Sequence, residues 1–234
     1  MNKYIKAAAA LALCPCAVVQ AQNIDSLFVN APASELQLLE RNPRLDMLDL
    51  YNYKMTAKGE NIFGGYSVME SKTNDHITVK LTDASTWEMV LLPAEKGDSL
   101  ISCIHTVASP AADSEITFYN RDWTQARGLA PAVPPLKAFL VSRDSIPADS
   151  VDTVAVNSLM AKISVPHIKM RWILSPGSPA RLEYTVSTAS LGEEDNRTAR
   201  FCLKPLVRPW PFNANGVKSD GSDGNATQLG RNIF

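Results

Sequence analysis

"HITVKLTDASTWEMVLLP", residues 76–93, decides how this chain is built. Ile77, Val79 and Leu81 alternate with Thr78 and Lys80, and Trp87, Met89 and Leu91 resume the alternation after a short polar break. Successive side chains of an extended backbone point to opposite faces, so each run offers one apolar face, as a half-buried antiparallel sheet requires. Residues 100–107 and 115–119 continue as a third and a fourth strand. Clusters of Asp, Ser, Gly, Pro and Lys separate the runs, and such short connections suit a meander.

Upstream of this stretch the period is helical. Asn42-Pro43 predicts a helix start, since Asn can cap the free amides of a first turn and proline is tolerated there. The helix is expected to run to about Met55, with Leu45, Leu48 and Met55, supported by Met47 and Tyr51, forming its apolar stripe. Asp46 and Asp49 fit the positive end of the helix dipole and a solvated face better than a catalytic carboxylate pair.

Downstream, Ala130-Pro131-Ala132-Val133-Pro134-Pro135 interrupts the pattern, because clustered prolines remove amide donors and enforce an extended path. Beyond this boundary the order recurs. A helix is expected from about Asp149 to Met160 with Val151, Val154, Ala155 and Leu159 on one face, then strands near 168–174, 180–188 and 198–204. A fourth strand, near 206–210, is weakened by Pro205 and Pro209. The sequence therefore predicts an α+β fold of two helix-plus-antiparallel-meander halves, residues 22–130 and 131–212. An echo between them pairs His76–Lys80 with His167–Arg171, Glu88 with Glu183, and Cys103 with Cys202, which two halves about a pseudo-twofold axis could produce.

The ends read differently. Lys3 and Lys6 precede an apolar run from Ala7 to Val19, and Val19-Gln20-Ala21 fits a signal-peptidase site, so residues 1–21 are expected to be a secretory signal cleaved before Gln22. That run is too short for an ordinary membrane span, and no transmembrane segment is expected after signal removal. Cys14 and Cys16 follow Leu13 and Pro15, not the small residue that lipidation favours. Residues 213–234, rich in Gly, Asn, Ser and Asp, have few groups to bury and are expected to form a flexible tail.

Composition excludes some classes. With 45% hydrophobic residues, 20% charged residues and a formal net charge of -1, the chain lacks the basic excess that nucleic-acid binding requires. An exported chain would meet an oxidising compartment, where Cys103 and Cys202 can form a disulfide if their Cα atoms come within about 7 Å. The alternative is two small buried hydrophobes.

Chemistry-bearing motifs are sparse. The three histidines, His76, His105 and His167, have no helical metal-ligand spacing, and no hydrolase elbow, phosphate loop, dinucleotide fingerprint or zinc-protease helix occurs. His105 alternates with Ile101, Cys103 and Val107 and is expected on a half-buried face. Two residues apart on a strand puts Cys103 and His105 about 7 Å from each other, too far for a nucleophile–base hydrogen bond. Asp220-Gly221-Ser222-Asp223-Gly224-Asn225 alternates oxygen donors with glycine but lacks the Glu that completes a calcium loop. No cofactor is expected.

One short word is over-represented. Asp, then Ser or Thr, then an aliphatic residue occurs five times, presenting Ser26, Ser99, Ser145, Ser150 and Thr153. Composition alone gives roughly one occurrence by chance. Asp149 or Ser150 and Asp152 have a sufficient reason as helix-capping residues, whereas Ser145, before Pro147, and Ser26 do not. The word resembles the O-glycosylation sequon of Bacteroidetes. The stretches "NPRLDMLDLYNY", "HITVKLTDASTWEMVLLP", "CIHTVASP" and "SEITFYNRDW", within residues 30–125, resemble a family of exported Bacteroidetes proteins known only as a domain of unknown function. That resemblance implies a periplasmic or secreted protein of the Gram-negative cell envelope and brings no activity or catalytic residue. The expected role is non-catalytic binding or structural interaction with an envelope protein or glycan. The alternative is a hydrolase whose site is assembled from distant residues.

Overall fold

The computed structural model describes residues 23–94, 98–108, 110–142, 152–163 and 166–212. The expected signal segment, the tail with its Asp/Gly run, and the glycosylation candidates Ser145 and Ser150 lie outside them. The architecture is α+β, as the alternating pattern predicts, with a six-stranded and a three-stranded antiparallel sheet.

Two helices cover the front of the large sheet. In α1 (Ile24–Val29) the Asn23 side chain caps the first turn, accepting from the Ser26 amide at 2.9 Å. Helix α2 (Arg41–Asn52) begins one residue before the expected Asn42. Pro43 then falls in the first turn, where its missing amide proton would have had no intrahelical acceptor. The helix also ends before Met55, and Leu45 and Met55 are exposed, so the buried stripe is Met47 and Leu48 together with Arg44. Arg44 substitutes for apolar packing by donating to the carbonyls of Ala31 at 2.6 Å, Leu39 at 2.7 Å, Val29 at 3.2 Å and Phe28 at 3.3 Å. It thereby adds a donor to carbonyls at the C-terminal end of α1, where the intrahelical ladder runs out.

The large sheet runs in sequence order: β1 (Lys58–Glu60), β2 (Tyr66–Lys72), β3 (His76–Thr82), β4 (Ser85–Pro93), β5 (Ser99–Ala108) and β6 (Ala112–Tyr119). The four strands expected from sequence are β3 to β6; β1 and β2 are additional. In β2 the buried positions are Ser67 and Met69, and Ser67 donates to the Leu81 carbonyl at 2.9 Å. A serine facing the core hides the apolar alternation. Gly59 of β1 lies so close to the Pro43 carbonyl and Met47 that a Cβ there would approach within 2.9 Å, which ties β1 to α2.

The central strands are buried on both faces, not one. Trp87, Met89, Ile101 and Cys103 point forward into a core with Leu27, Phe28, Leu36, Leu39 and Met47. Val90, Leu92, Ile104 and Phe118 point backward into a second core with Phe139, Leu159, Leu182, Tyr184 and Cys202. The sheet is thus the middle layer, and the second half of the chain packs on its back.

That second half contains α3 (Thr153–Lys162), β7 (Ile168–Ile173), β8 (Arg181–Val186), α4 (Glu193–Cys202) and β9 (Leu206–Pro209), with sheet order β7-β8-β9. Asp152 caps α3, accepting from the Val154 amide at 3.3 Å. Of the expected α3 face Leu159 is buried and Val154 exposed. The strand expected at 198–204 is instead the end of α4. Glu193, Glu194 and Asp195 fill its first turn and complement the helix dipole, while Thr198, Ala199 and Cys202 share its buried face. The echo between the halves fails at this third element: Cys103 sits on β5 and Cys202 ends a helix.

Polar side chains of the large sheet seal the outer edge of β7. Its Ile168, Met170 and Trp172 amides donate to Asp113 Oδ1 at 3.0 Å, Ser114 Oγ at 2.9 Å and Glu88 Oε2 at 3.3 Å. The Trp172 indole donates to Ser102 Oγ at 2.9 Å. An otherwise open sheet edge is closed by side chains in place of another strand.

Candidate functional site

Two regions concentrate unusual chemistry, one on each side of the large sheet. The front region is polar and centred on Glu35, from the loop between α1 and α2. Leu36 and Leu39 anchor that loop in the front core, leaving Glu35 only 4% exposed. Register then supplies its partners. Trp87 on β4 lies opposite His105 on β5, and Tyr119 on β6 lies opposite Ile101 on the same face. The Trp87 indole donates to Glu35 Oε1 at 3.0 Å, His105 Nε2 lies 2.9 Å from the same oxygen, and the Tyr119 hydroxyl donates to Oε2 at 2.6 Å.

Burial by itself would raise the Glu35 pKa. The hydrogen bonds from His105, Tyr119 and Trp87, with the His105 charge, outweigh it and hold the carboxyl below its ordinary value. An ionised carboxylate only accepts, so His105 Nε2 is the donor. The same carboxylate acts oppositely on its neighbours. Burial first, and then the Glu35 charge, push the Cys103 thiol well above its ordinary range; burial, and then the hydrogen bond to Glu35, raise the Tyr119 phenol. A fully buried thiol kept protonated is a poor nucleophile. The arrangement resembles acid–base machinery in its residue types, yet each acidic oxygen is already committed to donors from the protein.

The back region is apolar. A cavity of about 810 Å³ lies where the end of β4 and the start of β5, through Pro93 and Leu100, meet the linker residues Leu129 and Pro131. Pro179 and Ala180 before β8, and Arg208, Trp210 and Phe212 at the end of the described chain, complete the wall. Clustered prolines and stacked rings make that wall stiff. Trp210 stacks on Phe118 at 5.6 Å and 14°, Phe212 stacks on Trp172 at 5.9 Å and 20°, and the Trp210 indole donates to the Pro93 carbonyl at 2.7 Å. Among the described residues lining the cavity, Arg208 is the one ionisable side chain. Its size falls in the range of small-molecule sites, about 300–1,000 Å³, with apolar walls and few polar groups.

The sequence-predicted residues are dispersed. Each histidine has its own carboxylate: His105 with Glu35, His76 with Glu88 at 3.0 Å, and His167 with Asp113 at 3.6 Å. Among the described residues no group of three or more His, Cys, Asp or Glu side chains is arranged to hold a metal ion. Cys103 and Cys202 are free thiols, buried in the front and back cores respectively. Ser26 lies within the first turn of α1, where its hydroxyl donates to the Asn23 carbonyl, and Ser99 accepts from Arg121 at the start of β5. Thr153 is exposed at the start of α3.

Neither Glu35 nor Arg208 was indicated by the sequence. Glu35 is a lone acid in Ala-Ser-Glu-Leu, 52 to 84 residues from its partners. Arg208 stands in a strand framed by Pro205 and Pro209. The alternation of β9 could have indicated it, because Arg208 shares a face with Leu206.

No curated protein matches the chain. Among solved structures, a domain of an uncharacterized protein from Porphyromonas gingivalis W83 is similar, with a TM-score of 0.61 and 24% sequence identity over 80% of this chain and 92% of that one. This likeness concerns the fold. A family model described as "Protein of unknown function (DUF3256)" matches residues 16–213, most of the sequence, and the chain belongs to that family.

Proposed function

We propose that this is an exported protein of the Gram-negative cell envelope that acts by binding, with the back cavity as its recognition site. The observation that carries the reading is the contrast between the two regions. The front carboxylate is closed off by its own donors, while the back holds an apolar cavity of about 810 Å³ with a single ionisable group on its wall. Binding needs shape and a few placed polar groups; hydrolysis needs a poised nucleophile or base facing a substrate. The basic and apolar opening residues support export, and the five sequons, at Ser26, Ser99, Ser145, Ser150 and Thr153, support O-glycosylation after export.

The test is native mass spectrometry of the protein purified from the envelope fraction of its own host. The expected species begins at Gln22, is heavier than its polypeptide by glycan mass, and releases a small apolar molecule on denaturation. A cytosolic protein that retains residues 1–21 would contradict export. Native protein that carries nothing and takes up no apolar compound would contradict the binding reading.

A further inference from the structure

The cavity wall carries a charge that the fold itself does not answer. In β8 the inward residues are Leu182 and Tyr184, and register pairs Leu182 with Arg208 and Tyr184 with Leu206. Cross-strand partners share a face, so Arg208 points to the apolar side of the small sheet, not to the outer side where Arg171 pairs with Glu183. Two neutral groups hold it there. Its Nη1 donates to the Ala132 carbonyl at 3.0 Å, and the guanidinium lies over the Tyr184 ring at 5.6 Å from the centroid. Among the described residues no carboxylate forms an ion pair with it. The Tyr184 hydroxyl beside it is buried, interacts with this guanidinium and meets no other partner at hydrogen-bond geometry among the described residues.

A guanidinium has five N–H donors in a planar fork that matches a carboxylate bidentately, and the Ala132 carbonyl uses one of them. The rest of the wall is proline, alanine, leucine and aromatic carbon, which favours an apolar body and offers no cation site. We infer that the cavity takes an apolar carboxylate, an acyl-chain or aryl acid whose hydrocarbon part lies against Leu129, Trp210 and Phe212 and whose carboxylate meets Arg208. The inference rests on the binding reading above and names its ligand class.

Three ten-carbon probes of one shape and different charge separate the two claims: decanoate, decan-1-ol and decylamine, titrated calorimetrically into the mature chain at neutral pH. Decanoate is expected to bind at least tenfold more tightly than decanol, with decylamine weakest. Arg208→Gln should bring decanoate down to the affinity of decanol and leave decanol unchanged. Arg208→Lys, which keeps the charge without the fork, should fall between and serves if the glutamine variant does not fold. Leu129→Trp, which fills the cavity, should abolish binding of all three. Equal affinity for decanoate and decanol would overturn the carboxylate inference and leave the cavity reading standing. Binding of none of the three would overturn both.

Discussion

The front and the back of the large sheet handle a charged side chain in opposite ways. At the front, Glu35 is surrounded by donors that reach it from β4, β5 and β6, and the loop that carries it is locked to the sheet. At the back, Arg208 is held by a carbonyl and an aromatic face beside open volume. A buried charge surrounded by complementary partners defines one conformation; a half-buried charge beside a cavity and lacking a counter-ion defines a preference for a ligand. The residue types at the front look more like an enzyme, yet the incomplete region is the one at the back.

Substitutions can break this contrast, and the largest effect belongs to the front. Trp87 is fully buried, packs on Phe28 at 5.8 Å and donates to Glu35. Trp87→Ala should destabilise the protein by about 3–5 kcal/mol, read from urea unfolding. Phe212→Ala, at the partly open wall of the cavity, should cost no more than about 2 kcal/mol in the same assay. Equal losses would mean that the back wall is as structural as the front.

Glu35→Gln comes next, at about 2 kcal/mol, because the amide presents donors where three donors already converge. Its pH dependence has a definite sign. Glu35 has a lowered folded pKa, so its stabilisation is present above its ordinary value of 4.5 and is lost as pH falls through the folded value. The difference in Tm between wild type and Glu35→Gln should therefore narrow below pH 4.5. A gap that widens on acidification would contradict an ionised Glu35.

Arg208→Gln should have the smallest effect on stability, within about 1 kcal/mol, since it loses one hydrogen bond and a cation–π contact. Thermal unfolding without ligand checks this. A loss of several kcal/mol would identify Arg208 as a structural residue and remove the contrast with Glu35.

What could be read in advance follows from which interactions are local. Ile77, Val79 and Leu81, then Trp87 and Met89, announce β3 and β4 because strand periodicity is written in adjacent residues. Strand β2 escapes the pattern because Ser67 replaces an apolar core residue and bonds to a neighbouring strand. Helix α4 ends in Phe201-Cys202, followed by Leu203, a run that favours a strand by propensity, but its acidic first turn and the packing of Ala199 and Cys202 prevail. Both candidate sites lie beyond such reading. Glu35 acquires meaning only through partners on three strands, and the cavity wall draws on the linker together with residues beside both sheets.

The four tryptophan indoles offer the most direct test, because Trp87 reports the front cluster and Trp210 the back cavity. Proton–nitrogen correlation spectra of the protein, titrated with decanoate, resolve their N–H signals separately. The Trp210 signal is expected to move in a saturable manner while that of Trp87 stays fixed. Movement of Trp87 with Trp210 unchanged would put the binding site at Glu35 and contradict binding in the back cavity.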